Sequence, residues 1–453
     1  MTGAPPIPPK PPARQGRVSL LRYLRLFRQD ILSAQPERLY AARMAEFRTP
    51  FFRSFLVNEP DLIDQVLKDR PDDFPKSDRV AEGLRPLLGR SVFVTNGAEW
   101  KHQRRIIDPA FEGGRLKDSF PAMLAAAEGA AARLSPGRVE IEAEASHAAA
   151  DVIFRTLFSM PIESETAQAV FGAFRAHQRA QPIVNLAAFL PLPRWVPRLH
   201  RRATRRTAAE IRRLIAEVTA ARAAEIAAES APDDLATRIM TTPDPETGAC
   251  FDTAEMADQV AIFFLAGHET SASALAWALW LLAAFPEAQD AVAAEAAGFL
   301  AEPSFAALSR LSFTRDVFRE TLRLYPPVPM MVREAARPET FRGRSVPPGA
   351  QVVISPWHLH RHARLWAAPD AFDPGRWRTP EGRDSARAAY LPFSAGPRVC
   401  PGAGFAMAEG VLLLAAIAAR WRLTPVEGRV PVPQAHLTVR ARDGIWLDLA
   451  PRG

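Results

Sequence analysis

Apolar residues recur near every third or fourth position along much of the chain, the spacing of a helix with one buried face. This spacing predicts helices over Leu124–Leu134, Ala143–Phe158, Ser164–Ala180, Ala203–Ala228 and Ala257–Phe285. Alternating apolar positions are fewer. They predict a strand or two around Phe51, Phe55 and Val57, one over Gln351–Ile354, entered through Pro347-Pro348-Gly349, and others near Leu437–Val439 and Ile445–Leu449. Pro182, Pro191, Pro193 and Pro197 mark a long loop between two helices, and the tract Thr241–Asp252 marks another. The pattern is mainly α with a small, partly separate β region, and no internal repeat is visible.

Two segments qualify that picture. Residues 1–18 are proline-rich and lack the apolar core of a signal peptide, so they predict an extended, flexible arm. Ser19–Gln35 then carries leucines and arginines at the spacing of an amphipathic helix. Val260–Phe285 is apolar and long enough to cross a bilayer. His268, Glu269, Thr270 and Ser271 sit in its middle, where an ionised group costs about 3 kcal/mol on insertion scales, so a buried core helix is expected instead. No other stretch suggests a span, and no transmembrane anchor is expected.

The 453 residues carry a net charge of +7, nearly all the cations being arginine; the lysines are Lys10, Lys68, Lys76, Lys101 and Lys117. Basic clusters lack the interleaved aromatics of a nucleic-acid site, so an acidic protein partner is preferred over nucleic acid. Two cysteines exclude a disulfide framework and fit a reducing, cytoplasmic setting. Cys250 reads as a small buried hydrophobe.

Cys400 stands apart. It lies in F-S-A-G-P-R-V-C-P-G, Phe393 to Gly402. Gly396 and Gly402 let backbone N–H groups come close to a sulfur anion, Arg398 offers positive charge and Phe393 a dry wall. That set suits a thiolate ligand to haem iron. The spacing F-x-x-G-x-R-x-C-x-G resembles the haem-binding signature of the cytochrome P450 family.

Further segments extend the resemblance from about residue 40 to the C-terminus. Ala266-Gly267-His268-Glu269-Thr270 is similar to the family's oxygen-activation motif. In it Glu269 and Thr270 imply proton delivery to dioxygen, Ala266 and Gly267 leave room beside the iron, and Gly267 is expected to open the helical ladder. Trp100-Lys101-His102-Gln103-Arg104 matches a W-x-x-x-R pattern, so that Trp100, Arg104, Arg333 and Arg398 become candidates for the haem propionates. Glu320, Arg323 and Arg376 resemble the family's buried Glu-Arg-Arg cluster, a structural element. His358, His360 and His362 are read as structural, without metal.

The resemblance implies the P450 fold as one large haem domain over residues 19–453, with haem b held through Cys400. It implies a soluble bacterial monooxygenase, a monomer, that inserts one atom of O2 into a small hydrophobic substrate: a fatty acid, hydrocarbon or terpenoid. The chain shows no flavin or iron–sulfur domain, so electrons are expected from a ferredoxin and ferredoxin reductase, docking near Arg104, Arg105 and Arg115. Family position places the substrate against Leu84, Leu87, Val92, Phe93, Val184, Phe263, Phe264, Val328, Met330, Met331, His436 and Leu437, with no fixed charge aimed at a head group. A peroxide-driven peroxygenase and a non-enzymatic haem sensor remain as alternatives.

Overall fold

A computed structural model describes residues 7–16, 18–48, 53–112, 114–180, 202–435 and 437–452. Val184, His436, Phe51 and the proline-marked loop of 182–197 lie outside the described residues. The principal helices are α1 (Leu20–Gln29), α2 (Asp78–Leu88), α3 (Gly97–Phe111), α4 (Arg115–Arg133), α5 (Ile141–Phe158), α6 (Glu165–Ala180), α7 (Arg202–Ala227), α8 (Thr253–Ala284), α9 (Pro286–Ala301), α10 (Ser312–Leu324) and α11 (Ala403–Arg420). They form one large, mainly α-helical domain with a small β region.

The long helix α8 organises the rest. It starts four residues earlier than its apolar spacing predicts, because Asp252 and Glu255 form a reciprocal cap. Asp252 accepts from the Glu255 N–H at 2.7 Å, and Glu255 accepts from the Asp252 N–H at 3.0 Å. Helix α5 crosses it, with the Phe154 and Phe264 rings 4.5 Å apart. Trp277 of α8 stacks at 4.0 Å on Tyr325, which closes α10. Helix α11 is itself long and apolar enough to cross a bilayer, a second such stretch beyond the one expected, but 61% of it is buried inside the fold.

The β region holds a four-stranded sheet in the order β1 (Met44–Arg48), β2 (Arg53–Val57), β5 (Gln351–Ile354), β4 (Met331–Glu334). β2 and β5 run parallel, pairing Phe55 with Val352, and β4 lies antiparallel on β5, pairing Arg333 with Val352. A three-stranded sheet joins β3 (Gly137–Glu140), β9 (Trp446–Pro451) and β6 (Trp421–Pro425). A short ribbon pairs β7 (Pro433–Ala435) with β8 (Val439–Ala441).

Residues 7–16 do not stand clear as the proline content suggests. Lys10 Nζ meets Asp370 at 2.7 Å, the Tyr325 hydroxyl donates to the Pro9 carbonyl at 2.9 Å, and Arg14 Nε donates to the Ala34 carbonyl at 2.7 Å. Cys250 is exposed on its loop rather than buried.

Candidate active site

Cys400 sits just before the N-terminus of α11 and faces a cavity of about 1220 Å³. The loop is fixed by its backbone: the Cys400 N–H donates to the Phe393 carbonyl at 2.9 Å. Gly396 acts differently from the expectation. Its φ is +68°, and a Cβ there would lie 2.0 Å from the Leu67 carbonyl oxygen, so it permits close packing of the loop rather than lining the cavity. Gly402 is the glycine beside the sulfur. Desolvation pushes the Cys400 thiol above its ordinary pKa, opposed by the Gly402 N–H and the charge of Arg104.

Three cations gather around one indole, and a fourth stands beside them. Trp100 is buried, with Arg398 Cζ 4.9 Å, Lys76 Nζ 5.6 Å and Arg104 Cζ 5.9 Å from its ring centroid. Arg333 reaches the group through the sheet edge, where an isolated bridge sets it beside Lys76. Burial and the neighbouring Arg398 lower Arg333 to about 10, and burial plus the three arginines lower Lys76 to about 6. Lys76 was not legible as a site residue; its ammonium donates to the Val92 and Thr95 carbonyls at 2.5 and 3.0 Å.

The α8 segment lines the cavity through Ala266, Gly267, Glu269 and Thr270. The helix runs unbroken through Gly267, whose missing Cβ instead admits Ile153 of α5; a Cβ would lie 2.2 Å from its Cδ1. Thr270 turns its hydroxyl back onto the Ala266 carbonyl at 2.6 Å. Glu269 is buried, accepts from Gln178 Nε2 at 2.6 Å and lies 3.7 Å from Arg440. Desolvation raises its pKa, so it tends to hold its proton. Glu409 of α11, also on the cavity, accepts from Ser271 at 3.0 Å, leaves Oε1 without a partner and is raised to about 8 by burial.

Leu84, Val92, Phe93, Phe263, Val328, Met330, Met331 and Leu437 line the cavity; Leu87 and Phe264 do not. Phe264 points into the α5–α6 core against Phe154 and Phe174, and the backbone at Leu87 is bonded to Arg212 of α7. The wall is not free of charge, contrary to expectation: Arg28, Arg175, Arg179 and Arg440 belong to it. Arg105 is not open to a partner, because Asp244 takes it bidentately at 2.6 and 2.8 Å. Arg104 turns inward, its Nη1 donating to the Val399 carbonyl at 2.8 Å.

Beneath the loop, Glu320, Arg323 and Arg376 meet in the interior. Glu320 Oε1 lies 2.7 Å from Arg323 Nη2 and 2.9 Å from Arg376 Nε. His360 links this cluster to the loop, accepting from the Leu391 N–H at 2.8 Å while its other ring nitrogen lies 3.2 Å from the Arg323 carbonyl. His358 pairs with Ser355 at 2.8 Å, so each of these histidines has its own hydrogen-bond partner.

Residues 46–445 match the family model described as Cytochrome P450. The chain belongs to the cytochrome P450 family. It is 35% identical over 393 residues to cyclooctat-9-en-7-ol 5-monooxygenase of Streptomyces melanosporofaciens, covering 85% of this chain and 83% of that protein. Cyclooctatin synthase of the same organism is 34% identical, with 85% and 84% covered, and human cytochrome P450 4A22 is 30% identical, with 86% and 78% covered. Membership supports a monooxygenase reaction of the P450 type, and a haem-thiolate cofactor is typical of the family. The residues of this P450 fit that group. Arg333 Nε and Arg398 Nε are buried without partners, and of this basic group Arg104 has Asp108 at 2.6 Å and Arg398 has Asp72 at 3.8 Å, so its charge is only partly compensated until further anions join it. A porphyrin bearing two propionates supplies those anions, and Cys400 supplies sulfur on the same cavity.

Proposed function

We propose that this P450 is a soluble bacterial haem-thiolate monooxygenase that inserts one oxygen atom of O2 into a C–H bond of a hydrophobic substrate. The observation that carries this reading is the set of Lys76, Arg104 and Arg398 around Trp100, with Arg333 beside Lys76, on the cavity that Cys400 faces. Haem b, when bound, supplies reductive activation of O2 and oxygen transfer to carbon.

The chain's own residues do the rest. Arg104, Arg333, Arg398 and Lys76 would hold the propionates by charge-assisted hydrogen bonds. Cys400 would hold the haem iron through its sulfur, its anion favoured by the Gly402 N–H and Arg104. Glu269 holds a proton at its buried carboxyl, oriented by Gln178. Thr270, the next residue, passes protons inward once its hydroxyl leaves the Ala266 carbonyl. Phe263, Val328 and Met330 keep water away and give an apolar substrate its place. The name of the Streptomyces relative, cyclooctat-9-en-7-ol 5-monooxygenase, gives an unsaturated alcohol as the compound oxidised, which agrees with a hydrophobic substrate class.

Electrons come from an acidic ferredoxin served by its reductase. Arg115 and Lys117 are exposed at the start of α4, and Leu116 between them lies beside Gly404 in the first turn of α11. This side, not Arg105, is the docking face. The test compares product formed with NAD(P)H, ferredoxin and reductase against product formed with hydrogen peroxide, in protein whose reduced carbon monoxide complex shows the thiolate band. Peroxide-only turnover would make it a peroxygenase, and no turnover with either would make it a sensor.

A further inference from the structure

The cavity carries positive charge that the propionates do not explain. Arg28 lies in the last turn of α1, Arg175 and Arg179 are four residues apart on α6, and Arg440 stands on β8 across from Gln434. All four line the cavity. Separate contacts bring their elements together. α1 is tied to β7 by the Ala435 N–H on Asp30 Oδ1 at 2.9 Å, and α6 is tied to α8 by Gln178 on Glu269.

These charges face solvent in the cavity and have few carboxylate partners. Like charges at i and i+4 on a helix repel. Among the described residues Arg28, Arg175 and Arg179 have no carboxylate partner, whereas Arg442 nearby is paired with Asp443 at 3.2 Å. The nearest carboxyl to Arg440 is Glu269 at 3.7 Å, which is buried and already bonded to Gln178. A guanidinium presents a planar fork that matches a carboxylate in two parallel hydrogen bonds.

We propose that Arg28, Arg175, Arg179 and Arg440 hold the carboxylate of an amphipathic substrate, whose apolar body extends along Phe263 and Val328 toward Cys400. The inference rests on the monooxygenase reading for the fate of the substrate but not for its binding. It narrows the substrate class to apolar acids and puts oxidation at a carbon remote from the acid group.

Myristic acid and its methyl ester test it on the haem-loaded full chain, by equilibrium dialysis and by the spin-state shift of the Soret band. The acid is expected to bind about tenfold tighter than the ester or better. Arg440→Gln and Arg175→Gln should each erase most of that preference while leaving ester affinity in place; Arg28→Gln, on an exposed helix end, gives an independent third reading. Equal affinity for acid and ester overturns the proposal, as does an equal loss of both in the variants. Loss of binding to phosphatidylglycerol vesicles with the acid preference unchanged also overturns it, assigning the arginines to a lipid surface. An intact acid preference by dialysis in protein lacking the thiolate band supports this site while sinking the monooxygenase reading.

Discussion

Ser271 donates its hydroxyl to Glu409 at 3.0 Å, joining α8 just behind Thr270 to the helix that begins after Cys400. The acceptor is a buried carboxyl whose second oxygen has no partner, and burial raises it from an ordinary 4.5 to about 8. Between those values the unfolded chain has released the proton that the folded chain retains. The resulting penalty on folding is absent below the lower value, grows as pH climbs, and levels off above the upper one. Glu409→Gln keeps a partner for Ser271 and removes the penalty. Its stability gain over the parent should therefore widen between about pH 5 and 8, reaching on the order of 2–4 kcal/mol. Thermal unfolding across that range measures it, and a difference constant with pH would contradict the raised carboxyl.

Cys400→Ser replaces an electron-rich sulfur with a hydroxyl. The thiolate band of the reduced carbon monoxide complex should disappear together with monooxygenation. Cys250→Ser, at an exposed loop position, should alter neither. Survival of the band in the first variant would remove Cys400 as the ligand.

Thr270→Ala deletes a hydroxyl that in the structure rests on the Ala266 carbonyl. Reductant consumption should continue while hydrogen peroxide replaces much of the product, and Thr270→Ser should restore most of the coupling. Unchanged coupling in the alanine variant would exclude Thr270 from proton delivery.

Glu320→Ala leaves two arginines in the interior without their shared carboxylate. Breaking a buried pair in this way costs about 3–5 kcal/mol. Urea denaturation should show that loss, accompanied by poorer haem retention. A loss within about 1 kcal/mol would mean that the backbone carbonyls of His360, Pro369 and Ala371 suffice for Arg323.

Arg115→Glu should slow iron reduction by an acidic ferredoxin and flatten its dependence on salt, because steering between opposite charges is screened within about 8 Å at physiological ionic strength. Arg105→Glu is no test of docking, since it would break the bidentate pair with Asp244. Stopped-flow reduction at several salt concentrations decides the matter; indifference to Arg115 would move the docking face elsewhere.

Local features of the chain were readable from its sequence. The Gln351–Ile354 strand and the cysteine loop each depend on neighbours a few positions away; the Asp252–Glu255 cap of α8 is equally local, but apolar spacing alone passes over it. Contacts across long sequence separations were not. Lys76 joins Arg333 only because the β5–β4 edge brings residue 333 back to residue 76. Arg105 is neutralised by an aspartate 139 residues later. Adjacent helical residues also diverge by about 100° around the axis; Phe263 turns to the cavity while Phe264 turns into the α5–α6 core. Gly267 was read as a weak point in a helix, yet its value lies in a partner, Ile153, that its own neighbourhood does not announce.

The seating of residues 7–16 has a consequence for the order of events during synthesis. Lys10 and Asp370 are 360 positions apart, and Pro9 lies 316 positions before Tyr325. An emerging chain gains about 5–20 residues per second, so Pro9 and Lys10 wait tens of seconds before their partners exist. Throughout that interval Pro9 and Lys10 lack these partners, while Arg14 already has the Ala34 carbonyl within reach, 20 positions on. The contacts of Pro9 and Lys10 are then among the last to form, closing over a body whose interior is already assembled.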